Sequence, residues 1–307
     1  MRTAARLAPR DLALILVVVV LLGFVFVAIK VALRELPPFA LAGLRYVFAA
    51  FPLVFFIKPP RMPWRYVVGY GFAIGVCQFG LLFLGIELGV PAGLSSLIIQ
   101  VQVFFTVALG IAFLGEHVRR EDLIGAVIAT AGLLLLGAYK VTAGVSGTVI
   151  GFLLVIGAAL AWSIGNVIAK RAAKEHEADM FALVVWSSLV PPLPLAALAY
   201  AFEGGPEVWH AVTNASALVW GCVLLLAWGA TLFGFASWAA LLHRYPTALI
   251  MPFALLIPVV GLASGVIFLG EGLAPLQMLG VALVLAGLAE NVFGESLRGW
   301  LRNRDSR

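Results

Sequence analysis

Uncharged polar side chains fall near the mid-depth of long apolar runs of this sequence, namely Gln78, Ser96, Gln100, Gln102 and Asn166. A polar group in a hydrocarbon setting is costly, so its position carries information about function. At helical spacing Ser96 and Gln100 share a face, with Phe104 one turn further, and Trp162, Asn166 and Lys170 share another. An amide both donates and accepts hydrogen bonds. A set of amides at one depth can therefore pair with the carboxylate and the ammonium of a zwitterion without adding fixed charge. The aromatic residues Phe79, Trp162, Trp186 and Trp238, with Phe24 and Phe26, would form the apolar remainder of a small-molecule pocket. Taken singly, each amide reads first as a tie between neighbouring helices, for about 0.6 kcal/mol. Trp186 and Trp238 read as readily as lipid-facing residues, whereas Trp64, Trp209 and Trp300 sit where interfacial anchors belong.

Other chemistries lack their residues. Intramembrane catalysis would need buried paired aspartates, a Ser–His pair or metal-spaced histidines. His117, His176, His210 and His243 all fall in loops or at the ends of apolar runs, and Gly93-Leu94-Ser95-Ser96 lacks the closing Gly of a nucleophile elbow. With no phosphate-binding loop either, no enzyme activity, no metal and no cofactor is expected. Asp11, Glu87, Glu116, Glu271 and Glu290 lie toward run ends, which leaves no carboxylate near mid-depth. Proton-driven carriers commonly titrate such a carboxylate, so efflux down a metabolite gradient is expected instead.

The elements that must position these residues are membrane helices. The chain of 307 residues is 63% hydrophobic and 11% charged, with mean hydropathy +1.09; soluble domains run near 45–50% and about 25%. A soluble fold could not bury that much apolar surface, so lipid must be the solvent. The apolar runs are 11–33, 37–57, 64–86, 91–115, 121–139, 148–172, 179–202, 216–242, 247–270 and 274–293. Each approaches the roughly 20 residues that a crossing needs. Pro and Gly clusters punctuate them, and the longest break, 203–215, reads as a loop outside the bilayer. Ten crossings put sixteen Lys and Arg residues on the side of the termini, against Arg34 and Lys140 opposite. Basic residues stay cytoplasmic, so both termini are expected inside, in a multi-pass protein of the cell inner membrane. Scattered in short loops, this charge serves topology and not nucleic-acid binding. Cys77 and Cys222 read as small buried hydrophobes. The lead Met1 to Arg10 reads as the start of a retained helix and not a cleaved signal.

The two halves resemble each other. Leu114-Gly115-Glu116 recurs as Leu269-Gly270-Glu271, each followed nine residues later by Gly125 or Gly280 and then by Ala131-Gly132 or Ala286-Gly287. Gly23 to Lys30 likewise aligns with Ser163 to Lys170. A five-helix repeat is odd-numbered, so its second copy enters the membrane inverted, with a substrate site near the midplane where the copies meet. The expected architecture is all-α: one repeat over 11–139, a second over 148–293 and a basic tail over 294–307. Inverted symmetry sets Lys30 level with Glu271 at the outer side and Lys170 level with Glu116 at the inner side. Alternating Lys30–Glu271 and Lys170–Glu116 pairs would serve as gates; snorkelling lysines and solvated helix ends are the competing reading. Arg45 lies deeper and could neutralise a substrate carboxylate or tie helix ends, the structural role carrying more weight. Pro52, Pro191, Pro192, Pro194, Pro252 and Pro258 interrupt helices 2, 7 and 9. The small-residue faces of helices 5 and 10 could pack within one chain or build a homodimer; the sequence leaves both open.

The Leu-Gly-Glu ends of helices 4 and 9, the Gly-rich helices 5 and 10, Trp162 to Lys170, Pro37-Pro38-x-x-Leu-Ala-Gly-Leu-Arg45 and Pro91-Ala-Gly-Leu-x-Ser96 together resemble the EamA family of the drug/metabolite transporter superfamily. The resemblance covers residues 10 to 294 and is nearest to bacterial inner-membrane exporters of amino acids and their derivatives. It implies that the amide set lines a transport cavity. It also implies a small-molecule substrate such as an aromatic amino acid, cysteine or O-acetylserine, exported by alternating access. A multidrug exporter of the same fold is the alternative; an acidic site for cationic drugs would favour it.

Overall fold

The computed structural model describes residues 8–115, 120–142, 146–176, 179–245, 250 and 253–305, and among them every regular element is helical. In chain order these are α1 (Pro9–Ala32), α2 (Pro38–Ala50) with a 3₁₀ turn at Leu53–Phe55, α3 (Trp64–Glu87) and α4 (Ala92–Leu114). There follow α5 (Arg120–Thr142) and α6 (Ser146–Glu175), then α7 (Met180–Asn214) and α8 (Ala217–Trp238), which runs on to Arg244. The last are α9 (Leu256–Leu269) and α10 (Pro275–Asp305). By length and composition eight of these can cross a membrane, namely α1–α4, α6–α8 and α10, and α9 is a shorter apolar helix. The start of the run 247–270 includes residues outside the described ones.

Local chemistry fixes the ends. Pro9 and Pro38 occupy the first turns of α1 and α2, where a missing N–H costs nothing. Asp179 accepts from the backbone N–H groups of Phe181 and Ala182, and Ser216 accepts from Val219 N–H, capping α7 and α8. The Leu-Gly-Glu repeat is a helix stop. Gly115 (φ 68°, ψ 27°) ends α4 and Gly270 (φ 66°, ψ 24°) ends α9. Both take the left-handed conformation that costs a residue with a Cβ. The two copies thus match in geometry as well as in letters.

Two expectations change, and a packing that the sequence left open becomes visible. The segment 203–215 is not a loop: Gly205–Asn214 forms an amphipathic helix that prolongs α7, because its apolar Val208 and Val212, one turn apart, line a groove against α2. Proline does break α7, at 188–191, but Pro258 sits inside α9 without ending it. Pro252 lies outside the described residues. The Gly faces of α5 and α10 pack on each other within one chain. A Cβ on Gly125 would stand 2.5 Å from the Gly287 carbonyl oxygen, and one on Gly132 would stand 2.7 Å from that of Gly280. Gly125 corresponds to Gly280 in the repeat, and Gly132 to Gly287. The contacts therefore cross over, each first glycine meeting the other copy's second, as a two-fold-related pair requires.

Around this seam the remaining helices pack into a main apolar core that includes Phe26, Leu41, Phe83, Leu97 and Leu226, with a smaller cluster of Ile15, Val19, Leu241 and Ile250. Backbone widens to π-helix at Gly71–Gln78 in α3 and at Leu225–Gly234 in α8. Such widenings redirect side chains and recur at functional sites. Here they carry Gln78 and Thr231.

Candidate functional site

Between the helices of the two copies lies a cavity of about 190 Å³. The first copy contributes Leu22, Phe26 and Ile29 from α1, Arg45 from α2, Gln78 and Phe79 from α3, and Ser96, Gln100 and Gln102 from α4. The second contributes Trp162 from α6, Ala230, Phe235 and Trp238 from α8, and Ala254 and Ile257 at and beside the start of α9. Seven of the nine residues expected to bind substrate therefore meet on one surface: Gln78, Phe79, Ser96, Gln100, Gln102, Trp162 and Trp238.

Two do not. Asn166 stands behind the wall, where its Nδ2 donates to Gln102 Oε1 at 2.8 Å and to Thr106 Oγ1 at 3.3 Å. Thr106 Oγ1 also donates to Gln102 Oε1 at 3.2 Å, so the amide of Gln102 is held from behind. Trp186 lies far from the cavity. Its indole N–H donates to the Ile57 carbonyl at 2.9 Å and its ring packs edge-on against Trp64. A buried indole N–H needs a partner, and the carbonyl freed beyond the end of α2 supplies one. Phe24 packs edge-on against Phe268, leaving Phe26 as the α1 aromatic in the wall.

The polar atoms of the wall differ in how they are satisfied. Ser96 Oγ donates to the Gly93 carbonyl at 2.6 Å. Gln100 Nε2 reaches the Ala254 carbonyl only at 3.5 Å, a weak bond by length. Gln78 is 2% exposed and its Oε1 has no hydrogen-bond partner among the described residues. Arg45, also 2% exposed, donates from Nε and Nη2 to Thr231 Oγ1 at 3.0 and 2.8 Å. Its guanidinium carbon lies 3.7 Å from the Phe79 ring centroid, and Nη1 is without a hydrogen-bond partner among the described residues. The depth of Arg45 was legible in the sequence. Nothing in the sequence marked Thr231 as its anchor.

The expected outer gate takes another form. Lys30 Nζ donates to the Ile86 carbonyl at 3.2 Å, while the Glu271 carboxylate accepts the backbone N–H groups of Ala92 and Gly93 at 2.6 and 2.9 Å. Lys30 and Glu271 are thus engaged apart. The free N–H groups at the start of α4 are fixed donors at the positive end of a helix dipole, so they hold a carboxylate without ordering a long side chain. The same end of the molecule repeats the device twice. Glu203 accepts from Phe39 and Ala40 N–H at 2.6 and 3.2 Å, capping α2. Glu35 accepts from the N–H and hydroxyl of Ser216 at 2.6 and 2.8 Å, ahead of α8. All three contacts join the first copy to the second. Lys170 lies exposed toward the far end of α6; Glu116, its expected partner, lies outside the described residues. At that far end Glu175 meets Tyr66 and Arg171, and Asp11 accepts from Arg244 at 3.2 Å and from Tyr245 at 2.7 Å.

Comparison with known proteins identifies the family and the fold. The model of the EamA-like transporter family matches twice, over residues 11–138 and 149–292. The chain is 40% identical over 296 residues to a "probable amino-acid metabolite efflux pump" of Salmonella typhimurium strain LT2, covering 95% of this chain and 98% of that one. A protein of the same description from Escherichia coli strain K12 is 39% identical over 289 residues, covering 94% and 96%. A solved crystal structure superimposes with TM-score 0.61 at 22% identity, covering 92% of this chain and 96% of the other. At that identity the likeness concerns the fold alone.

Proposed function

We propose, from the premise that this chain belongs to the EamA-like transporter family, that it exports amino acids or closely related metabolites from the cytoplasm across the inner membrane. The observation that carries this reading is the cavity itself. Both copies build it, amides and indoles line it, and no carboxylate stands among its described lining residues. Its volume of about 190 Å³ is small beside the roughly 300–1,000 Å³ of sites for drug-sized ligands, which suits a metabolite better than a bulky xenobiotic. The two relatives described as amino-acid metabolite efflux pumps support the same substrate class. Gln78, Ser96, Gln100, Gln102, Phe79, Trp162 and Trp238 are the proposed contacts, with Asn166 positioning Gln102.

In this reading the chain crosses the membrane ten times, α5 and α9 included, as two inverted repeats with both termini inside. The end bearing Glu35, Glu203 and Glu271 then faces outward. Alternating access requires the three carboxylate caps to part as the cavity opens to the outside, with Lys30 free to meet Glu271 once the cap on α4 is broken. Efflux follows the metabolite gradient, because the wall offers no carboxylate to carry a proton. The test is release from proteoliposomes loaded with a panel of labelled amino acids, with and without an imposed proton gradient. Release of amino acids regardless of the gradient is expected. Release of cationic dyes with retention of every amino acid would instead identify a multidrug exporter.

A further inference from the structure

Arg45 is the one charged residue among the described residues that line the cavity, and it is almost wholly buried. A guanidinium stays protonated under all ordinary conditions and offers five N–H donors. Two of its nitrogens share a single acceptor, Thr231 Oγ1, and Nη1 has none among the described residues. Among the described residues no carboxylate comes within ion-pair distance of it. Among the described residues its hydrogen-bond and ring partners are the neutral hydroxyl of Thr231 and the rings of Phe79 and Tyr46. A buried, unpaired cation is among the most expensive groups in a protein interior. Had Arg45 served only to tie α2 to α8, a neutral donor on α2 could bond Thr231 without that cost. Gln78, in the same cavity wall, has a buried acceptor, Oε1, without a hydrogen-bond partner among the described residues.

We infer that Arg45 is the recognition point for a free carboxylate on the transported solute, with Thr231 as its positioning residue and Gln78 Oε1 as the acceptor for the solute's ammonium. This rests on the export reading above and narrows it. The favoured substrates are solutes that carry an α-carboxylate, and amides or esters of the same side chain are released more slowly. The solute supplies the counter-charge that the Thr231 hydroxyl and the aromatic faces do not.

The experiment compares labelled phenylalanine, cysteine and threonine with their α-amides in proteoliposomes bearing the wild-type protein, Arg45→Gln, Arg45→Lys or Thr231→Val. Loss of one charge-assisted hydrogen bond is worth about tenfold or more. The wild type is therefore expected to release at least one acid about tenfold faster than its amide. Arg45→Gln abolishes that preference by slowing the acid while leaving the amide within about twofold. Arg45→Lys retains part of the preference, and Thr231→Val weakens it severalfold with the charge intact. Equal release of acid and amide by the wild type, a measurement that needs no variant to fold, would overturn the assignment and leave amino-acid export standing. Preference retained in folded Arg45→Gln would do the same. Failure of all three acids and all three amides to move, while cationic dyes do, would sink both readings together.

Discussion

Two seams join the copies of this protein, and they are built on opposite principles. Along α5 and α10 the glycine pairs Gly125–Gly287 and Gly132–Gly280 bring backbone to within the reach of a missing Cβ. No side chain comes between them, and dispersion between close backbones does the holding. Around the cavity the copies meet through side chains with gaps between them, and polar atoms of Arg45 and Gln78 are left unmatched. One seam leaves no room for a side chain; the other leaves a cavity of about 190 Å³. The same duplication produced both, which teaches that symmetry fixes where helices meet and residue size fixes whether they can part.

The largest way to break that contrast is to put a side chain into the closed seam. Gly132→Leu would drive atoms into the Gly280 carbonyl and the Val284 side chain. Overpacking of this kind costs about 1–3 kcal/mol where neighbours can shift, and more where the neighbour is backbone. Loss of the monodisperse peak in detergent and a lower melting temperature are expected. Gly221→Ala, whose added Cβ would meet nothing within 4 Å, should leave both unchanged. Comparable melting of the two variants would remove the distinction between the seams.

A smaller effect separates residues inside the cavity from those that only share its composition. Trp162→Ala removes an indole from the wall and should slow amino-acid release about tenfold, the worth of a well-packed aromatic contact. Trp186→Phe, which loses one hydrogen bond to Ile57, should stay within about twofold. Equal slowing by both would mean that the tryptophans act through packing in general and not through a shared surface.

The smallest effect tests the rim. Glu271→Gln keeps the shape of the cap on α4 but removes its charge, worth about 0.5–1 kcal/mol at a helix N-terminus. With Cys77 and Cys222 changed to Ser and Ile99→Cys as reporter in the cavity wall, labelling by an impermeant maleimide added outside cells should rise about two- to fivefold. Unchanged labelling would show that the outer rim is held by something other than its carboxylate caps.

Much of this was readable along the chain. The apolar runs, the Leu-Gly-Glu stops with Gly115 and Gly270 in left-handed backbone, and the amides of α3 and α4 each depend on one segment and its solvent. Residues such as Asn166 and Trp186 were misplaced for one shared reason: helical spacing tells which residues share a face but not what that face meets. Asn166 turned out to support Gln102 rather than line the cavity, and Trp186 to serve a carbonyl 129 residues away. Glu271 found backbone N–H groups 178 and 179 residues distant instead of a lysine, because an uncapped helix start outcompetes a mobile ammonium.

The sequence by itself determined that lipid is the solvent, where the helices lie and that they come in two matching sets, since hydrophobicity and helix stops act over a few residues at a time. Only the tertiary structure decided which glycines pair, which carboxylate caps which helix and that Arg45 meets a neutral hydroxyl and aromatic faces with no carboxylate beside it among the described residues. Those outcomes depend on groups brought together from opposite halves of the chain, and an unmet charge is visible only once every neighbour that could meet it is in place.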